Sequence, residues 1–347
     1  MDGDDWCGPG GVTVVPRRTV PGRRRIDDDP PTVPLVGLRP PGVDEPPRPR
    51  RRPARHAGVL VLLLGLIAVA ASGDLGRPAT PAPPPIAAPA PSPAVREVDP
   101  AAAAREATAA IDRLVTGDSV GHVSVAARNL TTGQSFGYAP DTPIATASVV
   151  KLNILQTLLL QSQDAGRQPS TGARELAELM ITQSDNDAAS SLWEDVGGIP
   201  AIDAANDRLG PRDTHLDDHW GSTTTPASDQ LALLTALAGP SPLDPASRAY
   251  ARDLMTRVAD DQRWGVSAAA DPGTSTALKN GWTPDAAADG RWVVGSVGSV
   301  TVGGDTVLLA ALTEHQPDKT TGIQLVEALS QAAARAVARP PARATSG

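Results

Sequence analysis

The segment 147–163 constrains the fold of this chain more than any other part of the sequence. Apolar side chains surround almost the whole circumference of the helix that this segment predicts: Val149, Val150, Leu152, Ile154, Leu155, Leu158, Leu159 and Leu160. A helix that is hydrophobic all round has to be buried on every side. The sequence therefore predicts a domain with a central helix, covered by other helices and by a sheet.

The elements around this helix follow a simple order: one helix, two strands, a block of helices, three strands and a closing helix. The predicted helices cover residues 100–116, 147–163, 171–182, 187–196, 199–209, 226–238, 245–258 and 321–337. The predicted strands cover 122–128, a segment ending near Tyr138, 276–282, 291–300 and 306–313. Strands from both ends of the domain are expected to join one antiparallel sheet, with the helical block beside it.

Three segments precede this domain. Residues 1–56 are rich in Pro, Arg, Asp and Gly and predict a disordered cytoplasmic tail. The apolar run 57–73 follows an Arg-rich block, which favours a single-pass anchor in a bacterial cell membrane and an extracytoplasmic domain. The alternative is a cleaved signal peptide, with a small-x-small site at 68–70, and a secreted product. Residues 74–99 predict a Pro/Ala-rich linker.

Residues 100–338 are expected to form a single, monomeric domain, and 339–347 a disordered tail. The only cysteine, Cys7, lies outside that domain and excludes a disulfide framework and a thiol nucleophile within it. The formal net charge of −8 argues against a nucleic-acid partner. His122, His215 and His315 lie far apart in the sequence without metal-ligand spacing, so the sequence predicts no metal and no cofactor.

Lysine is scarce in this chain: Lys151, Lys279 and Lys319 are the only three. Lys151 closes the motif Ser148-Val-Val-Lys at the first turn of the central helix, and the i,i+3 spacing places hydroxyl and amine on one face. A buried ammonium loses its proton easily, so we expect Lys151 to be largely neutral and to act as a base for Ser148. Arginine stays protonated and could not take this role.

Two further motifs follow in the sequence. Ser184-Asp185-Asn186 stands between two predicted helices, where taken alone it is typical of a helix cap. Lys279-Asn280-Gly281 lies on a predicted strand, where the glycine permits close approach of a ligand to the backbone. The three motifs in this order, with two of the three lysines at the positions that need an amine, point to one site.

This set resembles the signature of the class A β-lactamases and their penicillin-binding relatives, over residues 100–338. The resemblance implies an α/β (α+β) fold, in which a five-stranded antiparallel sheet is flanked by helices and joined to an all-helical half. The active site would lie between the sheet and that half. It also implies a β-lactam or a D-Ala-D-Ala-like peptidoglycan peptide as substrate, hydrolysed through an acyl-enzyme without a cofactor.

The resemblance implies a role for each motif residue. Ser148 would be the acyl-accepting nucleophile, Lys151 its base or proton relay, and Ser184 the proton donor to the leaving nitrogen. The residues implied to bind substrate are Asn186 (amide side chain), Lys279 (carboxylate), Gly281 (close approach) and Trp282, whose N–H would form the oxyanion hole with that of Ser148. Asn280 replaces the usual Thr or Ser, and its amide would have to donate to the carboxylate instead.

The chain departs further from the family at the loop that carries the deacylating Glu. Trp220 matches the Trp of that loop, but Gly221 stands where the Glu should be, and the loop is shorter. Asp217, Asp218 and His219 are the candidates to replace the Glu, although each is also typical of a solvated loop. Slow deacylation is therefore expected, and a degenerate binding module or an esterase on the same scaffold are the alternative functions.

Overall fold

The computed structural model describes residues 99–116, 121–285 and 288–338. The predicted tails, the apolar run 57–73 and almost all of the linker lie outside these residues. Within the described part of the chain, no helix combines the length and the apolarity needed to cross a bilayer.

Seven strands are described, five of which form one antiparallel sheet. In chain order they are β1 (Val123–Asn129), β2 (Ser135–Tyr138), β3 (Ile144–Ala145), β4 (Thr224–Thr225), β5 (Ala277–Asp285), β6 (Arg291–Val302) and β7 (Asp305–Gln316). The large sheet has the order β2-β1-β7-β6-β5, so β5 is an edge strand. The short strands β3 and β4, which the sequence analysis missed, pair with each other. The predicted five-stranded antiparallel sheet is confirmed.

Eight α-helices are described around this sheet. They are α1 (Pro100–Leu114), α2 (Lys151–Asp164), α3 (Thr171–Glu178), α4 (Asn186–Val196), α5 (Gly198–Leu209), α6 (Ala227–Ala238), α7 (Pro245–Thr256) and α8 (Lys319–Val337). Aspartates at Asp99, Asp185, Asp244 and Asp318 each accept a backbone N–H at a helix start. Such caps satisfy N–H groups that have no partner inside the helix.

The core lies in two layers, one on each face of the sheet. Helices α1 and α8 pack on one face, while α2 to α7 pack together as a helical half against the other. Every residue from 151 to 160 of α2 is buried, as its all-round hydrophobicity predicts. Each buried Leu of this helix stabilises the fold by about 1.5–3 kcal/mol relative to an exposed one.

Two predicted helices are not α-helical at one of their ends. The segment 147–163 begins as a 3-10 turn, Ala147–Val150, before α2 starts. The helix predicted over 171–182 stops being α-helical at Glu178 and continues as a π-helical turn, Leu179–Gln183. Local apolar spacing predicts that such segments are helical, but it does not separate the three helix types.

Gly322 lies at a close contact between α8 and the sheet. A Cβ built on it would lie 2.5 Å from Val294 Cγ2 and 3.0 Å from Val294 Cβ. We expect Gly322→Ala to destabilise the protein by about 1–3 kcal/mol through overpacking. Helix propensity alone would favour Ala by about 1 kcal/mol, so packing has to reverse the sign.

The matched control is Gly172→Ala in α3, where a Cβ meets nothing within 4 Å. This variant should be as stable as the parent chain or more so. Urea unfolding of both variants measures the difference, and a stabilised Gly322→Ala protein would contradict the packing described for α8.

Candidate active site

Ser148 and Lys151 occupy the turn that leads into the central helix. Ser148 lies in the 3-10 turn and Lys151 is the first residue of α2. Residues i and i+3 of a 3-10 helix eclipse one another, which is compatible with the predicted common face. Ser148 is half-buried and lines a cleft of ≈ 530 Å³, whereas Lys151 is fully buried.

The Ser184-Asp185-Asn186 segment serves both as a cap and as part of the site. Asp185 caps α4 by accepting the Ala188 N–H at 2.7 Å. Ser184 has a left-handed backbone, with φ of 57°, and Asn186 is the first residue of α4. Both contact the Lys151 amine, whereas the Asp185 side chain caps the helix.

A chain of hydrogen bonds joins the three motifs. The Lys151 amine donates to the Ser184 carbonyl oxygen at 2.6 Å and to Asn186 Oδ1 at 2.7 Å, and it lies 3.3 Å from Ser184 Oγ. The Lys279 amine lies 3.0 Å from the same Oγ and donates to the Asn280 carbonyl oxygen at 2.7 Å. The Ser184 hydroxyl therefore stands between two lysine amines.

Burial changes the proton affinity of both amines. Loss of solvation lowers the pKa of Lys151 to about 8, although the Asp185 carboxylate acts in the opposite direction. Burial and then the charge of Lys151 lower the pKa of Lys279 well below its usual value. A pKa of about 8 leaves Lys151 mostly protonated at pH 7, so the expected neutral amine dominates only at higher pH.

Strand β5 forms the opposite wall of the site at Gly281. A Cβ there would lie 2.5 Å from the Thr146 carbonyl oxygen and 2.9 Å from the Ser148 nitrogen. Only glycine allows the strand to approach the Ser148 turn this closely. Trp282 follows and lines the cleft, and its ring packs edge-on against Trp264 with centroids 5.8 Å apart.

Asn280 does not face the cleft, contrary to the expectation that its amide would donate to a substrate carboxylate. Its side chain is buried and donates to the backbone oxygens of Gln262, at 2.7 Å, and Trp264, at 3.3 Å. Successive side chains of a strand point to opposite faces, so a strand that turns Lys279 toward the site turns Asn280 away.

The loop that should carry the deacylating Glu presents an aromatic ring to the site. The Lys151 amine lies 4.9 Å from the centre of the Trp220 ring, and the Trp220 Nε1–H donates to Ser190 Oγ at 3.2 Å. Gly221 lines the cleft, and a Cβ at this position would meet nothing within 4 Å. The sequence analysis matched Trp220 to the family without foreseeing this contact.

Of the three residues considered as replacements for the Glu, only His219 lines the cleft. Asp217 and Asp218 are exposed, and Asp217 Oδ1 accepts the backbone N–H of His219 at 2.8 Å. The structure therefore places both carboxylates on the solvated side of the loop.

Two further groupings were missed by the sequence analysis. The third lysine, Lys319, lies with its amine 4.0 Å from the centre of the Trp282 ring, so the scarcity of lysine was a signal for this residue too. His122 and His315, judged unrelated from their separation in sequence, lie together beside Glu314. His122, Glu314 and His315 do not line the cleft.

The fold and the sequence both have known counterparts. The family model described as the beta-lactamase enzyme family matches residues 106–172 and 159–337. A PBP-A variant in an acyl-enzyme complex with penicillin G has a similar fold, with a TM-score of 0.57 and 23% identity, covering 66% of this chain and 94% of that chain. A class A beta-lactamase from Bacteroides cellulosilyticus has a TM-score of 0.59 at 15% identity, covering 67% and 98%.

A curated relative is the putative lipoprotein LppW of Mycobacterium tuberculosis, which is 33% identical over 172 residues. The alignment covers 46% of this chain and 54% of LppW, so the chain spans about half the length of that relative. The family model, in contrast, matches more than half of this chain, from residue 106 to residue 337. The chain belongs to the beta-lactamase enzyme family.

Proposed function

We propose that this protein is an extracytoplasmic serine hydrolase that forms an acyl-enzyme on Ser148 with a β-lactam or a D-Ala-D-Ala-like wall peptide. The observation that carries the proposal is the hydrogen-bonded chain from Lys151 through Ser184 to Lys279, beside the Ser148 turn. A half-buried hydroxyl between two amines with lowered pKa is suited to proton transfer. The penicillin acyl-enzyme of PBP-A supports a substrate of this class.

The first half of the reaction needs only groups that surround Ser148. A neutral Lys151 amine has two hydrogens, which the Ser184 carbonyl and Asn186 Oδ1 accept, and its lone pair remains to take the Ser148 proton. Ser148 Oγ then bonds to the substrate carbonyl carbon, and the N–H groups of Ser148 and Trp282 stabilise the oxyanion. The Ser184 hydroxyl protonates the leaving nitrogen as the C–N bond breaks. The Lys151 ammonium, which took the Ser148 proton, then returns a proton to Ser184 Oγ.

Recognition of the substrate carboxylate depends, in this proposal, on the charge of Lys279, which is fully buried and does not itself line the cleft. The Asn280 amide donates to the Gln262 carbonyl oxygen inside the fold, so it does not replace the Thr or Ser hydroxyl that other family members have at this position. The Thr283 side chain lies along the same cleft, two residues after Gly281 on β5, and adds a hydroxyl to that wall. A substrate carboxylate near Lys279 would raise the proton affinity of that amine and hold it charged.

The second half of the reaction lacks its usual base. Hydrolysis of the acyl-ester requires a water that is held and deprotonated against the ester carbonyl. In this chain the Trp220 ring covers one side of the Lys151 amine, and Gly221 has no side chain to act as base. Loss of a positioned general base slows such a step by about 10²–10⁴-fold. We therefore propose that the acyl-enzyme is long-lived.

Mixing the full chain with a penicillin should give one covalent adduct per protein, at Ser148, that persists for minutes or longer. Intact-protein mass spectrometry follows the adduct, and Ser148→Ala is the control that cannot form it. Rapid turnover without an adduct would contradict the slow second step. Absence of both adduct and turnover would favour the binding module or the esterase.

The lifetime of that adduct should respond to a carboxylate at position 221. Gly221→Glu introduces a base into the cleft without a clash of its Cβ and should shorten the lifetime at least about tenfold. Gly221→Gln has the same size and no base, so it is the matched control. Equal lifetimes in the two variants would assign the slow step to another cause.

Acylation should depend on pH through Lys151. Because burial lowers its pKa to about 8, the neutral base grows from a minority at pH 7 to a majority at pH 9. The acylation rate should therefore rise about tenfold over this range. Lys151→Arg should lower the rate by about 10²–10⁴-fold, whereas Lys319→Arg should leave it unchanged. Stopped-flow labelling with a fluorescent penicillin measures these rates, and a fast Lys151→Arg protein would remove the assigned role.

We also propose that the domain, acting as a monomer, is tethered outside the cytoplasm by the apolar run 57–73. The lipoprotein name of the relative supports a membrane-associated, extracytoplasmic location. Cys7 precedes the run, so the tether in this chain would be the run itself and not a lipid on a cysteine. A reporter that is active only in the oxidising exterior, fused after Pro100, should be active and membrane-bound. A reporter found inactive in the cytosolic fraction would contradict the tether.

A further inference from the structure

The ends of β1 and β7 bring together three metal-ligating side chains that the cleft does not use. One ligand atom from each of His122, Glu314 and His315 lies within 4.8 Å of the others. His122 Nδ1 is 2.7 Å from Glu314 Oε1, and the two imidazole rings have centroids 5.8 Å apart. His122 and Glu314 are 192 positions apart in the sequence, so only the sheet brings them together.

The backbone of the sheet places the first two ligands. His122 immediately precedes β1, whose register pairs Val123 with Thr313, and the Glu314 N–H donates to the His122 carbonyl oxygen at 3.1 Å. Residues directly opposite each other on antiparallel strands have side chains on one face. The histidine and the carboxylate are therefore neighbours because of the register and not because of flexible side chains.

The third ligand joins them through a bulge. Between the pairs Val294–Thr313 and Trp292–Gln316, β7 has one residue more than β6. His315 lies in this bulge and has a φ of 60°, a left-handed conformation that is uncommon for a residue other than glycine. Plain alternation would put His315 on the opposite face from Glu314, whereas a bulge can re-aim a side chain. The Arg291 guanidinium donates to the His315 carbonyl oxygen at 3.0 Å and helps to hold this conformation.

We infer that His122, Glu314 and His315 form a binding site for a divalent transition-metal ion, with Zn²⁺ as the ion that fits best. Two imidazoles and one carboxylate are ligands that zinc accepts, with a water in a fourth position. Zinc–nitrogen bonds of about 2.0–2.1 Å require ligand atoms about 3.3 Å apart. The ligand atoms lie within 4.8 Å of one another, and because His122 is exposed and the other two are half-buried, we expect side-chain rotation to bring them to that spacing. The ion would join the start of β1 to the end of β7, outside the Ser148 cleft.

The test is zinc binding by the full chain after removal of metals with EDTA and dialysis. Equilibrium dialysis against ZnCl₂ should show one more bound zinc per chain in the parent protein than in His122→Ala or His315→Gly. Loss of even an outer-shell partner weakens metal binding by about 10–100-fold, so loss of a ligand should weaken it at least about tenfold. Co²⁺ should give the visible absorption of a four-coordinate nitrogen–oxygen site in the parent protein only.

The two variants keep the outcome independent of folding. Glycine tolerates the left-handed conformation at position 315, so His315→Gly should melt in EDTA no lower than the parent protein, yet lose the zinc-dependent rise in Tm. His122 is exposed, so His122→Ala leaves the core unchanged. His215→Ala, at a histidine outside the cluster, is the matched control and should retain the extra zinc. Equal zinc binding by the parent protein and both cluster variants would overturn the inference, as would no binding at all.

Discussion

The placement of two lysine amines on either side of the Ser184 hydroxyl is the interaction on which the rest of this site depends. Lys151 comes from the central helix, Lys279 from the edge strand of the sheet, and Ser184 from the turn between α3 and α4. The sheet and the helical half must therefore pack in one register for the three to meet. The burial that stabilises this packing is also what lowers the pKa of both amines. Stability and proton affinity have the same physical origin here.

The parts that sequence reasoning predicted are those with a local signal. The all-round apolar pattern predicted the buried helix, and it also placed Lys151 at the start of that helix. The scarcity of lysine singled out Lys151 and Lys279. The orientation of Asn280 was also predictable, because the period of two along a strand turns it away from Lys279.

The parts that were not predicted depend on contacts between distant segments. Nothing in the local sequence indicates that the Trp220 ring stands over the Lys151 amine, since this needs the loop and the central helix placed together. The neighbourhood of His122 and His315 depends on strand register and on a single left-handed residue. Spacing along the chain was a poor guide because antiparallel strands join the two ends of the domain.

Under the proposed function, the loop around Trp220 and the edge strand β5 would favour formation of the acyl-enzyme over its hydrolysis. In the proposed reaction, Ser148, Lys151 and Ser184 supply the groups that attack the carbonyl and expel the nitrogen, while the side of the Lys151 amine that faces the loop is covered by the Trp220 indole. An aromatic ring there excludes water and offers no proton acceptor. Under the proposed function, a protein with this arrangement would stay acylated by one donor for a long time and would be a slow catalyst of hydrolysis.

Complete burial of Lys151 and Lys279 has a chemical consequence apart from catalysis. An amine that is hidden from water is hidden from electrophiles as well, so in the described part of the chain Lys319 is the one lysine with solvent access. Acylation of Lys151 and Lys279 by amine-reactive reagents would therefore report whether the sheet and the helical half are packed together. An opening of that junction that lasts long enough for acylation would leave a permanent mass increase on Lys151 or Lys279, which the closed protein protects.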